Sequence, residues 1–175
     1  QAIFESLLKR NKASIRVTDL SRKEEIKALL GASDSLLSPA GLVKEQGHFA
    51  GHALFAEGLI TIQDESSQLV APTLELQGDE QVLDACAAPG GKTAHMASYL
   101  TTGQVTALDL YDHKLTLIKE NAERLGVADR VQTQKLDARK VHEFFGKDQF
   151  DKILVDAPCS GIGLLRRKPD IKYNK

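Results

Sequence analysis

A glycine-rich segment in the middle of the chain has the residue types of a ligand-binding loop. It reads DACAAPGGKT and begins at Asp84. An apolar run typical of a buried strand precedes it, and an amphipathic run typical of a helix follows. Small residues let a backbone approach a ligand closely, and Gly90 and Gly91 can adopt backbone angles that other residues resist. Open α/β sheets bind nucleotide-like ligands at such turns, so we expect one here.

The segment differs from two common phosphate-binding loops, despite its GKT ending. A P-loop needs a glycine five positions before its Gly-Lys pair, and Cys86 occupies that position. The segment also lacks the G-x-G-x-x-G spacing of dinucleotide sites. The sequence therefore argues against a triphosphate as the ligand.

Four aspartates stand at the ends of successive predicted strands, at Asp84, Asp109, Asp137 and Asp156. Parallel strands end at one edge of a sheet, so these carboxylates are predicted to line the ligand edge. Asp109 lies where an acid commonly accepts hydrogen bonds from ribose hydroxyls. A single aspartate there is more often a cap or turn residue. Four together favour a ligand with ribose hydroxyls, an amino group and a positive charge.

Regular alternation of apolar and amphipathic runs from Glu80 onward predicts the elements that position these acids. Strands are predicted at EQVLDAC, GQVTALDL, RVQTQKLD and FDKILVDAP, and helices at KTAHMASYL and DHKLTLIKENAERLG. Asp112 is expected to cap the second helix and Gly126 to end it. This order predicts a parallel sheet with right-handed crossovers.

The first part of the chain is less regular. SIRVT predicts a strand, and SPAGLVKE predicts a turn leading into another. Ser21 and Glu24 form a capping box that is expected to open a helix through Leu30. The predicted fold class is therefore α/β, with a small α+β subdomain over residues 1–60 and a Rossmann-like domain over residues 61–175.

Composition and charge narrow the functional classes. The 175 residues are 42% hydrophobic and 27% charged, which is typical of a soluble globular protein, and no apolar run is long enough to span a membrane. Two cysteines, Cys86 and Cys159, fit a reduced, cytoplasmic setting. The net charge is −1, yet residues 166–175 hold five basic side chains against one acidic. A local basic patch is enough for phosphate contacts, although a solvated face is the simpler interpretation. No metal site is predicted.

Two motifs, DACAAPGGKT and DAPCSGIGLLRRKPDIK, together resemble the RNA (cytosine-5) methyltransferases, in particular the Sun/Fmu type that modifies small-subunit ribosomal RNA. The resemblance begins near Ile60 with ITIQDESSQLVAP and weakens before it. It implies the Rossmann-like fold of S-adenosylmethionine-dependent methyltransferases and S-adenosylmethionine as cofactor. The implied reaction forms 5-methylcytosine in 16S ribosomal RNA, with that RNA as partner. We also expect residues 1–60 to form an RNA-binding-type subdomain.

The resemblance also implies roles for individual residues. Asp109 would hold the ribose hydroxyls, Asp137 would lie near the adenine, and Asp156 would also bind the edge of the target cytosine. Cys159 would help to release the methylated product. The implied cofactor-binding residues are Asp84, Cys86, Ala87, Ala88, Pro89, Gly90, Gly91, Lys92, Asp109, Asp137 and Asp156. The RNA phosphates would be contacted by Arg166, Arg167 and Lys168.

In this family the attacking cysteine lies in a TCS motif beyond the fourth strand, and the sequence contains no such motif. We therefore expect a sheet of strands one to four, no methyl transfer by this chain alone, and self-association through the exposed fourth strand. Three alternatives stay open. Cys159 acts as the nucleophile, the substrate is another RNA such as tRNA, or the chain binds S-adenosylmethionine and RNA without turnover. The DAPCSG motif argues against a protein or small-molecule substrate, because N- and O-methylation need no thiol.

Overall fold

The computed structural model describes residues 12–157, which form two four-stranded sheets joined by short helices. The strands are β1 (Ala13–Val17), β2 (Ser33–Asp34), β3 (Gly41–Lys44), β4 (Ile60–Ile62), β5 (Gln81–Asp84), β6 (Gln104–Asp109), β7 (Val131–Lys135) and β8 (Lys152–Leu154). The α-helices are α1 (Lys23–Leu30), α2 (Ala53–Ala56), α3 (Glu65–Gln68), α4 (Gly91–Ala97), α5 (Asp112–Arg124) and α6 (Val141–Phe145).

The first sheet is antiparallel, with the strand order β2-β3-β1-β4. Its core contains Ile15, Ile26, Leu42 and Ile60, all with no exposed surface. These four side chains come from β1, α1, β3 and β4, so burial of apolar surface holds α1 against the sheet. The strands predicted at SIRVT and within SPAGLVKE are confirmed.

The predicted capping box at the start of α1 is wrong. Asp19 is the capping residue, and its carboxylate accepts a hydrogen bond from the Ser21 backbone N–H at 2.9 Å. A turn of 3-10 helix, Leu20–Arg22, then leads into α1. Asp and Ser are both good N-caps. Local composition therefore could not decide between the two residues.

The second sheet is parallel, with the order β7-β6-β5-β8, as the alternation of strands and helices predicted. β5 is central and pairs with β6 on one side and β8 on the other. Val82 and Val105 pack against Ala94, Met96 and Leu100 in a fully buried cluster. β5 therefore reaches the ligand edge with its backbone paired on both sides.

Element ends differ slightly from prediction. Tyr111, not Asp112, is the N-cap of α5, and Asp112 is the first helical residue. Gly126 lies just past α5 with φ of 71°, as expected for a residue that ends a helix. β7 ends two residues before Asp137, and β8 ends two residues before Asp156. Both aspartates therefore lie in the loops that follow the strands.

Arg124, the last residue of α5, joins the two sheets. Its guanidinium donates hydrogen bonds to the carbonyl oxygens of Phe55 at 2.9 Å and Ile60 at 3.2 Å, and to Thr61 Oγ1 at 3.1 Å. It also lies 3.8 Å from the centre of the Phe55 ring. Gly58 packs against the same residue, because a Cβ there would lie 2.0 Å from the Arg124 carbonyl oxygen. These contacts fix β4 against α5.

In the edge strand β8 and directly after it, Ile153 and Val155 expose 55% and 66% of their surface. An exposed apolar strand of this kind is a pairing hazard, so self-association through it stays a prediction. Among residues 12–157, no helix has the length and apolar character needed to cross a membrane.

Candidate ligand pocket at the end of the parallel strands

A pocket of about 330 Å³ lies at the C-terminal end of β5. Two sets of residues, here called walls, form most of its lining. The turn wall follows β5 and comprises Asp84, Cys86, Ala87, Ala88, Pro89, Gly91 and Lys92. The Gln63 wall follows β4 and comprises Ile62, Gln63, Asp64 and Ser67. Asp156, after β8, completes the lining.

Backbone packing shapes the turn wall. Gly90 has φ of +98°, and a Cβ there would lie 3.1 Å from the Ile118 Cα of α5. Only glycine fits both the backbone angle and this close approach without strain. The Pro89 carbonyl oxygen accepts a hydrogen bond from Asn121 Nδ2 at 3.2 Å. The turn is therefore seated directly on α5.

Asp84 supplies a buried carboxylate to the pocket. It is 1% exposed, and its Oδ2 accepts a hydrogen bond from Thr93 Oγ1 at 2.7 Å. Burial raises the pKa of Asp84 to about 6, against the opposing effects of the Thr93 hydroxyl and the Cys86 backbone N–H. A buried carboxylate gains from a cation, so the group is suited to bind a positively charged part of a ligand.

Lys92 and Asp156 meet at the mouth of the pocket, with Lys92 Nζ 2.7 Å from Asp156 Oδ2. Their side chains are 23% and 53% exposed. The pair connects the start of α4 with the loop after β8. Asp156 can therefore accept from a ligand in the pocket while Lys92 holds its position.

The structure places Asp109 and Asp137 outside the pocket lining. Asp109 lies at the end of β6, where its Oδ1 accepts from the Tyr111 backbone N–H at 3.2 Å and lies 3.8 Å from Lys114 Nζ. Asp137 caps the following 3-10 helix and accepts from Arg139 Nε at 3.0 Å. That hydrogen bond is the main cause that lowers the pKa of Asp137 to about 2.

Of the two cysteines, Cys86 lies within the described residues and Cys159 does not. Cys86 lies in the turn wall, and burial together with the nearby Asp84 carboxylate raises the pKa of its thiol. It is therefore a poor nucleophile at neutral pH, which supports its interpretation as a small residue that fills space. Cys159 lies outside the described residues, as do the predicted RNA contacts Arg166, Arg167 and Lys168.

The Gln63 wall contains residues to which the sequence analysis gave no ligand role. Gln63 Oε1 accepts a hydrogen bond from Arg16 Nε at 2.8 Å, and Arg16 is only 3% exposed. These two residues lie 47 positions apart. In the sequence, this region was marked by the resemblance of ITIQDESSQLVAP to the family segment. That resemblance did not show that Gln63 contacts Arg16.

Over residues 71–175 the chain matches the family described as 16S rRNA methyltransferase RsmB/F. The chain belongs to this family. It is 56% identical over 131 residues to the probable ribosomal RNA small subunit methyltransferase B of Bacillus subtilis, in an alignment that covers 74% of this chain and 29% of the relative. The chain thus spans less than a third of that relative's length.

Two solved structures share the fold of this chain. The crystal structure of PH0851 has a TM-score of 0.87 and 33% identity, over 97% of this chain and 40% of that protein. NSun6 from Pyrococcus horikoshii, solved with SFG, has a TM-score of 0.81 and 21% identity, over 91% and 66% of the two chains, and it shows the fold. The predicted family resemblance and the Rossmann-like methyltransferase fold are confirmed, and the family indicates S-adenosylmethionine as cofactor.

The residues of the pocket fit that cofactor. The volume lies within the range of roughly 300–1,000 Å³ that small-molecule sites occupy. Asp84 offers a buried carboxylate for a positive group, and the small residues of the turn wall allow close approach of a ligand. Gln63 and Lys92 add hydrogen-bond donors. The pocket thus holds partners for both the positive and the negative groups of an amino-acid moiety.

Proposed function

We propose that the whole protein transfers a methyl group from S-adenosylmethionine to C5 of a cytosine in small-subunit ribosomal RNA. The observation that carries the proposal is the pocket at the end of β5, where the glycine-rich turn, Asp84, Lys92 and Asp156 come together in a chain of this family. The bound cofactor would supply the methyl group as an electrophilic sulfonium. The residues described below would bind and orient the two reactants.

The turn wall would hold the methionine and ribose part of the cofactor, with residues 86–92 around it. Asp84 would accept from the ammonium group, because it is the buried carboxylate of that wall. Asp109 would accept from the ribose hydroxyls at the end of β6. Asp137 would lie near the adenine, where its hydrogen bonds from Arg139 fix the carboxylate.

Asp156 and Lys92 would act on the target base. Asp156 exposes half of its side chain and would accept from the exocyclic amino group of cytosine. Lys92 Nζ lies 2.7 Å from Asp156 Oδ2 and so holds the carboxylate in place. The base must leave its stack to reach this position, so single-stranded or flipped RNA is the expected substrate. Cys159, three positions beyond Asp156, would assist product release.

The remaining parts of the proposal concern RNA binding and location. Residues 1–60 would form an RNA-binding subdomain, and Arg166, Arg167 and Lys168 would contact phosphates. A ribosomal RNA substrate and cysteines without a disulfide framework support a cytoplasmic location. Each of these statements is separable from the cofactor assignment.

Calorimetry tests the cofactor. The chain is expected to bind one S-adenosylmethionine per molecule and not to bind ATP, and Asp109→Ala is expected to weaken binding about tenfold or more, because it removes a charged hydrogen-bond acceptor. Equal binding of ATP, or no binding of S-adenosylmethionine, would overturn the assignment.

Loss of the gene tests the substrate. Deletion in the source organism is expected to remove one 5-methylcytosine from 16S ribosomal RNA, and re-expression of the full-length gene is expected to restore it. Bisulfite sequencing of that RNA measures both results. An unchanged 16S pattern together with a lost 5-methylcytosine in a tRNA would move the substrate to tRNA.

A further inference from the structure

We propose that the Gln63 side-chain amide binds the carboxylate of the methionine moiety of S-adenosylmethionine, and that Arg16 is the positioning residue that orients this amide. The inference rests on the proposed function for the identity of the ligand. It assigns one role to the Gln63 wall and one to a buried arginine of the first sheet.

The position of Gln63 places its amide beside Gly91, at the start of α4. The residue lines the pocket and is 7% exposed. Its Nε2 lies 3.9 Å from the point that a Cβ on Gly91 would occupy, which is van der Waals contact. Gly91 belongs to the turn wall, so a ligand bound at this end of the turn would lie beside both Gly91 and the Gln63 amide.

The contact with Arg16 settles which end of the amide faces the ligand. A guanidinium can only donate hydrogen bonds, so the atom 2.8 Å from Arg16 Nε must be the amide oxygen. The amide nitrogen therefore faces away from Arg16. Among residues 12–157 its hydrogen bond goes to the Ser67 carbonyl oxygen at 3.4 Å, which is long. A primary amide has two N–H groups, so one remains for a ligand.

Charge in the pocket indicates which ligand group this donor meets. Three carboxylates, those of Asp64, Asp84 and Asp156, lie in the lining and would repel an acidic group. Lys92 is engaged with Asp156. The cofactor's amino-acid moiety carries both an ammonium and a carboxylate. The ammonium suits Asp84 on the turn wall, and the carboxylate suits the donor on the Gln63 wall.

Arg16 affects the ligand only by orienting the Gln63 side chain. It lies on β1 with 3% of its surface exposed, and it is absent from the pocket lining. Its Nε hydrogen bond is buried, so the amide cannot rotate without leaving a donor unpaired. Arg16, a residue of the first sheet, thereby determines which end of the Gln63 amide faces the pocket.

The test compares two ligands that differ by one group. Calorimetry is run with S-adenosylmethionine and with decarboxylated S-adenosylmethionine, which keeps the sulfonium and the ammonium. Gln63→Glu retains an oxygen for Arg16 but presents a carboxylate oxygen to the ligand. Its affinity for S-adenosylmethionine is expected to fall about tenfold or more, with no loss for the decarboxylated ligand. Gln63→Met is expected to show the same selective loss, whereas the matched control Gln132→Met, on β7, leaves both affinities unchanged.

Arg16 is tested by the ratio of the two affinities. Arg16→Met is expected to reduce the preference for S-adenosylmethionine over the decarboxylated ligand, and Arg16→Lys is expected to restore part of it, because an ammonium also donates to the amide oxygen. A merely structural role would weaken both ligands equally and leave the ratio at its original value. That result would overturn the role of Arg16.

The other outcomes separate this inference from the proposed function. If the unaltered chain binds S-adenosylmethionine and Gln63→Glu weakens both ligands equally, or neither, the assignment of Gln63 is overturned while the cofactor stands. If the unaltered chain binds neither ligand, the proposed cofactor is overturned and this inference with it. Thermal unfolding of each variant shows that the fold is retained.

Discussion

The two walls of the pocket are built on different principles. The turn wall is mostly backbone and small side chains, seated on α5 through Gly90 and the Pro89 carbonyl oxygen. The Gln63 wall is mostly polar side chains, and the buried Arg16 of β1 donates a hydrogen bond to Gln63. The turn wall offers a ligand space and a buried carboxylate. The Gln63 wall offers a hydrogen-bond donor, and the arginine that orients this donor belongs to the first sheet.

α5 contacts the turn wall and the backbone that leads into the Gln63 wall, and so holds the two walls together. Its middle contacts the turn through Ile118 and Asn121, and its last residue, Arg124, holds the backbone on either side of Gly58. Asn121 Oδ1 also accepts from Arg124 at 2.7 Å. A change at this joint should therefore move the walls apart, whereas a change within one wall should leave the other intact.

The largest effect is expected at Gly58. Its φ of +74° and the 2.0 Å distance from a Cβ to the Arg124 carbonyl oxygen mean that Gly58→Ala strains the backbone and clashes at the joint. We expect the free energy of unfolding to fall by about 3 kcal/mol or more. Urea denaturation measures this loss, and calorimetry is expected to show weaker binding of S-adenosylmethionine as the walls separate.

Gly126→Ala is the matched control for this variant. Gly126 has a similar φ of +71°, but nothing lies within 4 Å of a Cβ there. Gly126→Ala is therefore expected to lower the free energy of unfolding by only about 1 kcal/mol, the cost of a side chain in the left-handed backbone region. Equal losses at the two glycines would show that the contact with Arg124 does not hold the walls together.

Asp84→Asn separates binding from stability within the turn wall. The folded pKa of about 6 is raised above the usual 3.8, so the stabilising contribution of the protonated acid is present below pH 4 and is lost as pH rises to 6. At pH 7.5 the ionised carboxylate therefore lowers the free energy of unfolding by up to about 3 kcal/mol. The variant is expected to unfold at higher temperature at pH 7.5, with no gain at pH 3.5, and to bind S-adenosylmethionine more weakly.

Scanning calorimetry and isothermal titration at the two pH values check these opposite effects. Affinity of the unaltered chain for S-adenosylmethionine is expected to rise between pH 5 and pH 7, as Asp84 ionises, and to lose that dependence in Asp84→Asn. A variant that is destabilised at pH 7.5 would contradict the account of a buried carboxylate kept for the ligand.

The smallest effect on stability is expected at the mouth of the pocket. Lys92 and Asp156 form a partly exposed pair, so Lys92→Met should change the free energy of unfolding by less than about 1 kcal/mol. Methyl transfer by the full-length protein is nevertheless expected to fall sharply, because Asp156, which we propose binds the target base, loses its partner. A stability loss as large as that of Gly58→Ala would place Lys92 in the fold rather than in the site.

The turn wall was predictable from sequence because its signals are local. Strand periodicity located β5 and β6, and the run of small residues from Ala85 to Gly91 identified the ligand turn. The cap of the 3-10 turn before α1 was missed because Asp19 and Ser21 are equally good N-caps. The Gln63 wall depends on a contact between Arg16 and Gln63 across two strands, and no spacing rule encodes that contact.

We propose that both walls bind one S-adenosylmethionine molecule, and a titration followed by nitrogen-15 NMR measures this. The backbone amide of Gly91 reports on the turn wall, and the side-chain amide of Gln63 reports on the Gln63 wall. Both signals are expected to shift along a single binding curve with the same dissociation constant. A shift of Gly91 with no response from the Gln63 side chain would contradict the account.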